Sequence, residues 1–148
     1  IRRNKIATRC MKIAQSGQYN FLRCMQREEF VAARLAETEF ISEAIHMIYL
    51  LNKEYLPFYK WQHRGLKRLK ILGFKTHAML NELVKASFDN ARLKVQIIEK
   101  ICGDIIEELK NQNLVNPYMQ SDFLQDYGPL VQQSIQDEKL RNWPPMLD

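Results

Sequence analysis

The chain has little of what builds turns and strands. Only five of its 148 residues are glycine and five are proline, and four of the prolines follow residue 116. No stretch of useful length alternates apolar and polar residues as a half-buried strand does. The sequence is rich in Leu, Ile, Ala, Glu, Lys and Gln, which favour helices. It therefore predicts an all-α fold: one helical domain over residues 1–148, folded as an antiparallel up-and-down bundle of five or six helices.

Several kinds of site are also missing. The three cysteines are widely spaced and form no CxxC pair, which indicates reduced thiols and a cytoplasmic protein. The three histidines form no HxxxH or HExxH pair, so we expect no metal site. The apolar runs are too short to cross a bilayer, and no apolar segment of a signal peptide follows the basic start.

No catalytic motif is present either. The chain lacks a glycine-rich phosphate loop, a Walker pattern, GxSxG and a defensible Ser/His/Asp set. We therefore expect no catalytic residue and no cofactor of its own. Because the chain begins with Ile rather than Met, we interpret it as part of a longer protein.

Positive charge is concentrated in the first half. The net charge is +9 over residues 1–75 and −4 over residues 76–148. Such a dipole can steer an anionic ligand or an acidic neighbouring domain towards the first half, although an ordinary solvated surface explains it equally well.

The first helix is predicted over residues 1–16. Helical spacing places Ile6, Cys10, Ile13 and Ala14 towards a core, and a basic stripe on another face. The stripe consists of Arg2, Lys5, Arg9 and Lys12, for which solvent exposure is favoured over contact with phosphate or a preceding segment. Gly17 is expected to end the helix in a left-handed conformation. Residues 15–24 then read as an irregular turn.

Further helices are predicted over residues 27–53, 58–72, 76–87, 90–112 and 121–136. Asp89 or Asn90 is expected to cap the start of the helix over residues 90–112. Gly103 within this helix is expected to permit close helix approach. Gly128-Pro129 predicts a kink or two short helices within residues 121–136. The tail from residue 137 to Asp148 is expected to form a short turn and an extended end.

Residues 52–64 stand out as the candidate site. This stretch gathers amide, aromatic and basic side chains between two helices, and Pro57 prevents it from being one continuous helix. The candidate binding residues are Asn52, Tyr55, Tyr59, Lys60, Trp61 and Arg64, with Tyr19, Asn20 and Arg23 as possible supporting residues packed beside them. For Asn52, capping the helix end is the favoured alternative. For Trp61, a place on the inner face of the bundle is the favoured alternative.

Three blocks of sequence carry a resemblance to a known family. They are residues 14–20 (AQSGQYN) with Arg23, residues 50–64 (LLNKEYLPFYKWQHR) and residues 135–141 (IQDEKLR). From about residue 5 to Arg141 the chain resembles the C-terminal helical domain of an uncharacterised family of nucleotidyltransferase-like proteins. More distantly, it is similar to the C-terminal bundles of aminoglycoside nucleotidyltransferases and to HEPN helical domains.

The resemblance implies an upstream domain of the polymerase-β type as a partner, carrying the metal-binding carboxylates. It implies Mg²⁺ and a nucleoside triphosphate for the intact protein, with a nucleotide or small molecule as ligand. Lys60 and Arg64 would then contact phosphate oxygens, and Tyr55, Tyr59 or Trp61 would form a wall for base or sugar. HEPN ribonucleases pair an Arg with a nearby His, and no His follows Arg141, so that activity is not expected.

Three functions compete at this stage. The leading hypothesis is an accessory, substrate-binding bundle of a nucleotidyltransferase, not catalytic alone. The second is a protein-interaction or regulatory module whose basic face docks an acidic partner. The third is RNA binding in the HEPN manner, although nucleic acid and membrane are both disfavoured as partners.

Overall fold

The structure, a computed structural model, describes residues 1–147 and contains only helices and connecting segments within them. The α-helices are α1 (Arg2–Ile13), α2 (Leu22–Gln26), α3 (Phe30–Leu51), α4 (Tyr59–Gly65), α5 (Gly73–Lys85), α6 (Ala91–Asn111) and α7 (Gly128–Gln133). A π-helix (Ala14–Phe21) joins α1 to α2. Short 3-10 segments follow α4 (Leu66–Arg68) and precede α7 (Leu124–Tyr127).

The long helices run alternately up and down. Arg2 at the start of α1 donates to the carbonyl of Leu50 at the end of α3, so these two helices are antiparallel. Lys75 at the start of α5 binds Asp104 towards the end of α6, so this pair is antiparallel as well. The predicted all-α helical bundle is confirmed, with six or seven helices depending on whether the short ones are counted separately.

The core lies between α1, α3, α6 and α7. The residues predicted to face it from the first helix (Ile6, Cys10, Ile13 and Ala14) are each 0% exposed, and Ile98 and Ile105 of α6 are buried to the same extent. The predicted cap at Asn90 is confirmed, because its side-chain oxygen accepts the N–H of Leu93 at 3.2 Å. The predicted break at Gly128-Pro129 is also found, between a 3-10 turn and α7.

The segment predicted as a turn is helical. Gly17 does not end the first helix, since it lies inside the π-helix and no glycine of the described chain has a positive φ. A β-carbon at residue 17 would overlap the ring of Phe40 and lie 2.9 Å from Ile98 Cγ2. Gly17 is therefore required for close packing rather than for a turn, and the chain remains helical to Gln26.

The helix predicted over residues 58–72 is shorter than expected. It ends after the 3-10 turn that follows α4, because Leu69 is extended and Leu72 adopts a left-handed conformation. Gly73 begins α5, where a β-carbon would lie 2.7 Å from Leu69 Cβ. A tight turn therefore separates α4 from α5.

Two further expectations are wrong. A β-carbon at Gly103 would have no neighbouring atom within 4 Å, so this glycine permits no close helix contact. The tail is not an extended end, since it forms a helical turn (Glu138–Arg141) capped by Asp137, and then a 3-10 turn (Pro145–Leu147). Asp148 lies outside the described residues.

The basic stripe of α1 is divided between the surface and the interior. Arg9 is 4% exposed and its Nε lies 2.7 Å from the Glu43 carboxylate on α3. Lys12 lies 4.0 Å from the same carboxylate. Arg2 and Lys5 remain partly accessible at the end of the bundle where α3 ends, and they belong to the candidate site.

Candidate ligand-binding site

Four basic side chains surround the start of α1 and the end of α3: Arg2, Arg3, Lys5 and Lys53. We call these four residues the basic corner. A cavity of about 640 Å³ lies there, with Arg2, Lys5 and Lys53 in its lining. Ligand pockets typically measure 300–1,000 Å³, so this cavity has room for a small molecule.

The rest of this cavity is mixed in character. Its remaining lining comes from Ile1, His46, Leu50, Glu54, Tyr55 and Leu56. Glu54 supplies the one carboxylate among these described residues, so cationic groups outnumber anionic ones. Tyr55 is 96% exposed, so its side chain is open to solvent at this cavity. Two smaller cavities, of about 540 and 440 Å³, adjoin the corner through Arg2 and Arg3.

Arg2 is held in place by the bundle. Its Nε donates to the carbonyl of Leu50 at 2.7 Å, and its Nη2 donates to Gln112 Oε1 at 2.7 Å. Partial burial, followed by repulsion from Arg3, lowers the pKa of the Arg2 guanidinium. Arg2 therefore contributes a fixed positive charge to the cavity wall.

Lys53 owes its position to an unusual helix end. Its backbone N–H donates to the carbonyl of Leu50 at 3.2 Å. The backbone N–H of Glu54 donates to the carbonyl of Tyr49 at 3.0 Å. This is the Schellman pattern, which places its left-handed residue just after the helix. That residue is usually glycine, but here it is Lys53 with φ 58°. The motif therefore carries a lysine side chain at the position where this motif usually has glycine.

Asn52 has a structural role at the same helix end. Its Nδ2 donates to the carbonyls of Ile48 at 2.8 Å and Ile71 at 2.9 Å, and its Oδ1 accepts the N–H of Ile71 at 2.9 Å. The side chain thus caps α3 and holds the turn before α5. It lines only the 540 Å³ cavity.

Four of the six predicted binding residues lie on α4, outside these cavities. Trp61 was expected on the inner face of the bundle, but it is 48% exposed. The backbone carbonyl of Gln62 accepts the hydroxyl of Tyr49 at 3.0 Å, and Leu66 rather than Trp61 is the buried side chain of this segment. Tyr59 is 74% exposed, and Lys60 and Arg64 are exposed as well. The predicted residues therefore separate into Asn52 at the turn, Tyr55 at the cavity and the other four on α4.

The predicted supporting residues lie towards the opposite end of the α1–α3 pair. Asn20 lines a separate cavity of about 730 Å³ together with Cys24 and residues of the first half of α3. Arg23 stacks over the Tyr19 ring, 4.6 Å from its centroid. Tyr19, Asn20 and Arg23 therefore do not support the stretch from Asn52 to Arg64.

The basic residues of the cavity, Arg2, Lys5 and Lys53, were not among the predicted binding residues. The basic stripe on α1 was the signal in the sequence for Arg2 and Lys5, but solvent exposure was the favoured explanation of that stripe. What joins Arg2 and Lys5 to Lys53 is the antiparallel packing of α1 on α3. No periodicity within one helix contains that information.

The described residues include no group of three or more His, Cys, Asp or Glu side chains placed to hold a metal ion. Within residues 1–147, every helix is either too short or too polar to be a membrane span.

Comparison with known families connects the first part of the chain to one of them. Residues 1–62 match the model of a family described as a domain of unknown function, DUF4037. The matched segment contains all nine residues that line the 640 Å³ cavity. Neither the curated proteins nor the solved structures include a significant match to this chain.

Proposed function

We propose that this chain is a helical accessory domain that binds a nucleotide in the cavity at the basic corner. The observation that carries the proposal is the lining of the 640 Å³ cavity, which combines Arg2, Lys5 and Lys53 with Tyr55. Phosphate oxygens favour cationic donors, and a base or sugar favours a flat apolar surface. No catalytic residue is proposed in this chain.

Lys5 and Lys53 are the flexible phosphate ligands in this proposal. Neither forms an ion pair with a carboxylate of the described chain. Arg2 adds a fixed charge to the same lining. A phosphate group entering the cavity would therefore meet cations that are not already neutralised.

Mg²⁺ does not fit the cavity as a resident ion. This ion prefers several oxygen ligands in octahedral geometry, and Glu54 is the one carboxylate in the described lining. In the proposed function, Mg²⁺ accompanies the nucleotide or is held by a neighbouring nucleotidyltransferase-like domain. A domain joined to Ile1 would emerge beside the cavity, because Ile1 is part of its lining.

Calorimetric titration of the chain with ATP, with and without Mg²⁺, tests the proposal. We expect the double variant Lys5→Gln/Lys53→Gln to raise the Kd at least tenfold, because each charged hydrogen bond contributes about 1.5–3 kcal/mol. Lys85→Gln, an exposed lysine at the end of α5, is the matched control and should bind like the parent chain.

Two results would contradict the proposal. One is an unchanged Kd in the double variant, and the other is the absence of any measurable binding of ATP. Binding of an acidic protein without any affinity for nucleotide would instead support the regulatory or interaction module considered from the sequence.

A further inference from the structure

A second surface, distinct from the cavity, lies on α4 and the residues on either side of it. We call Phe58, Tyr59, Lys60, Trp61, Arg64 and Lys67 the aromatic-basic face. Phe58 and Tyr59 are 66% and 74% exposed, and their ring centroids lie 4.8 Å apart. Exposed large aromatic rings that are grouped on one surface usually mark an interaction site.

The charge of this surface is of one sign. Residues 55–74 contain five Lys or Arg and no Asp or Glu. Lys60, Arg64 and Lys67 are exposed, and none of them forms an ion pair with a carboxylate of the described chain. Lys60 and Arg64 are four residues apart, so their like charges repel on the helix surface. A polyanion would relieve this repulsion.

Trp61 connects the aromatic and the basic groups. Lys60 Nζ lies 5.0 Å and Arg64 Cζ lies 5.8 Å from the centroid of its ring. About half of the side chain is accessible to solvent. A base that stacks on the free part of this ring would bring its phosphate groups close to two cations. Stacking on aromatic rings together with basic contacts is how proteins bind single strands without reading their sequence.

We propose that the aromatic-basic face binds single-stranded nucleic acid. A mononucleotide fits it poorly, because the rings stand on an open surface and the cations extend from Lys60 to Lys70. A duplex fits poorly as well, since its bases are already stacked on one another. An acidic protein would neutralise the charges but would give the exposed rings no specific role.

This proposal departs from the expectation drawn from the sequence, in which nucleic acid was a disfavoured partner. The reason is the position of Trp61, which was expected on the inner face of the bundle and instead lies beside two unpaired cations. The proposal does not depend on nucleotide binding at the basic corner.

Fluorescence anisotropy with a labelled 20-nucleotide oligouridine at 50 and 200 mM KCl tests the proposal. Each phosphate contact contributes about −0.7 to the slope of log K against log salt. Lys60→Gln/Arg64→Gln should therefore make the slope shallower by about 1.4. Trp61→Ala should weaken binding on the order of tenfold, and Trp61→Phe should retain most of the affinity, because phenylalanine preserves a stacking surface.

Tyr118→Ala and Lys85→Gln are the matched controls. Tyr118 is 87% exposed and lies in the loop after α6, and Lys85 is an exposed lysine at the end of α5. Both variants should bind like the parent chain, and circular dichroism should show unchanged helicity for all variants. Oligothymidine, measured in parallel, shows whether the 2′-hydroxyl contributes.

Three outcomes would overturn the proposal. The first is that neither oligonucleotide binds, and the second is that the α4 variants and the controls lose the same affinity. The third is that polyglutamate binds as tightly as oligouridine and depends equally on Lys60 and Arg64. The last result would assign the face to an acidic protein. The failure of this proposal and that of the cavity proposal are distinguishable, because Lys5→Gln/Lys53→Gln tests ATP and Trp61→Ala tests the oligonucleotide.

Discussion

His63 on α4 stacks on His77 of α5, with ring centroids 4.0 Å apart and an angle of 15° between the planes. Nε2 of His63 lies 3.1 Å from the carbonyl of His77. Because a carbonyl only accepts, this nitrogen is the donor. A positive charge on His77 would lie directly against the His63 ring, so the contact between α4 and α5 disfavours protonation of His77.

Stability should therefore fall in mild acid. The pKa of His77 is lowered from its ordinary value of 6.5. Desolvation is the largest cause, and the electrostatic effects of His63 and Lys67 follow. The unfolded chain then binds a proton as the pH falls through about 6.5, whereas the folded chain resists it until lower pH. The contribution of neutral His77 to the free energy of unfolding is complete above pH 6.5 and declines below that pH.

Thermal unfolding between pH 8 and 5.5 measures this effect. His77→Gln should make the Tm depend less on pH than in the parent chain, because glutamine does not titrate. A parallel titration of the histidine ring protons by NMR should place His77 below 6.5. If both proteins lose the same number of degrees between these two pH values, His77 has no such role.

Lys53→Gly should separate stability from binding. Glycine relieves the left-handed strain of about 1–2 kcal/mol but costs some entropy, so a net gain of about 0.5–1 kcal/mol in the free energy of unfolding is expected. The same change removes a phosphate ligand, so ATP affinity should fall. Urea unfolding and calorimetry measure the two effects.

Glu28→Gly is the control for Lys53→Gly. Glu28 has the same φ of 58° and also follows the end of a helix, α2, but it does not line the cavity. It should give a similar gain in stability with unchanged ATP affinity. Loss of affinity in both variants would attribute the effect to helix-end geometry rather than to the lysine.

Gly65→Ala should destabilise the protein. A β-carbon at residue 65 would overlap the hydroxyl of Tyr49, which is 0% exposed and bonded to the carbonyl of Gln62. Overpacking of this kind typically costs about 1–3 kcal/mol. Urea unfolding measures the loss of free energy.

Gly103→Ala provides a comparison in which the free energy of unfolding should rise rather than fall. This residue is exposed within α6, and the added methyl would meet no atom within 4 Å. The better helix propensity of alanine should raise the free energy of unfolding by about 0.8–1 kcal/mol. Equal effects of the two substitutions would contradict the packing of α4 on Tyr49.

A buried ion pair between α3 and α6 makes a further prediction. Lys94 is 0% exposed, and its Nζ lies 2.6 Å from Glu37 Oε1 and 2.8 Å from the carbonyl of Leu83. Glu37→Leu leaves the lysine charge buried without its counter-ion, at an expected cost of about 3–5 kcal/mol. Glu37→Leu/Lys94→Met should cost less, because it removes both charges.

The exposed side chain of Lys100 is the control for this pair. It is 61% exposed and lies 3.5 Å from Asp104, so Lys100→Ala should change the free energy of unfolding by less than about 1 kcal/mol. If the double variant is less stable than Glu37→Leu, the pair itself contributes net stability and the expectation is wrong.

Much of the fold could be predicted from local sequence. The apolar spacing of α3 and α6 predicted two long helices, and Asn90 predicted where the second begins. Each of these features depends on residues three or four positions apart in one helix. The spacing of apolar residues at that distance shows which face of a helix is buried, and it does not depend on the rest of the chain.

The candidate site was less predictable from sequence. The stretch from Asn52 to Arg64 was recognised as unusual, but its residues were expected to act together. Tyr49 packs against Gly65, and Leu66 rather than Trp61 is buried. The packing of α4 on α3 therefore decided that the Trp61 side chain is accessible to a ligand.

The sequence by itself determined the helical class, the long amphipathic helices and the basic character of the first half, because propensity, periodicity and charge are local properties. Only the tertiary structure decided that Gly17 packs on Phe40, that Lys94 pairs with Glu37, and that Arg2 and Lys5 meet Lys53 around one cavity. These relationships join residues from different helices, and their geometry depends on how closely and in which register the helices pack.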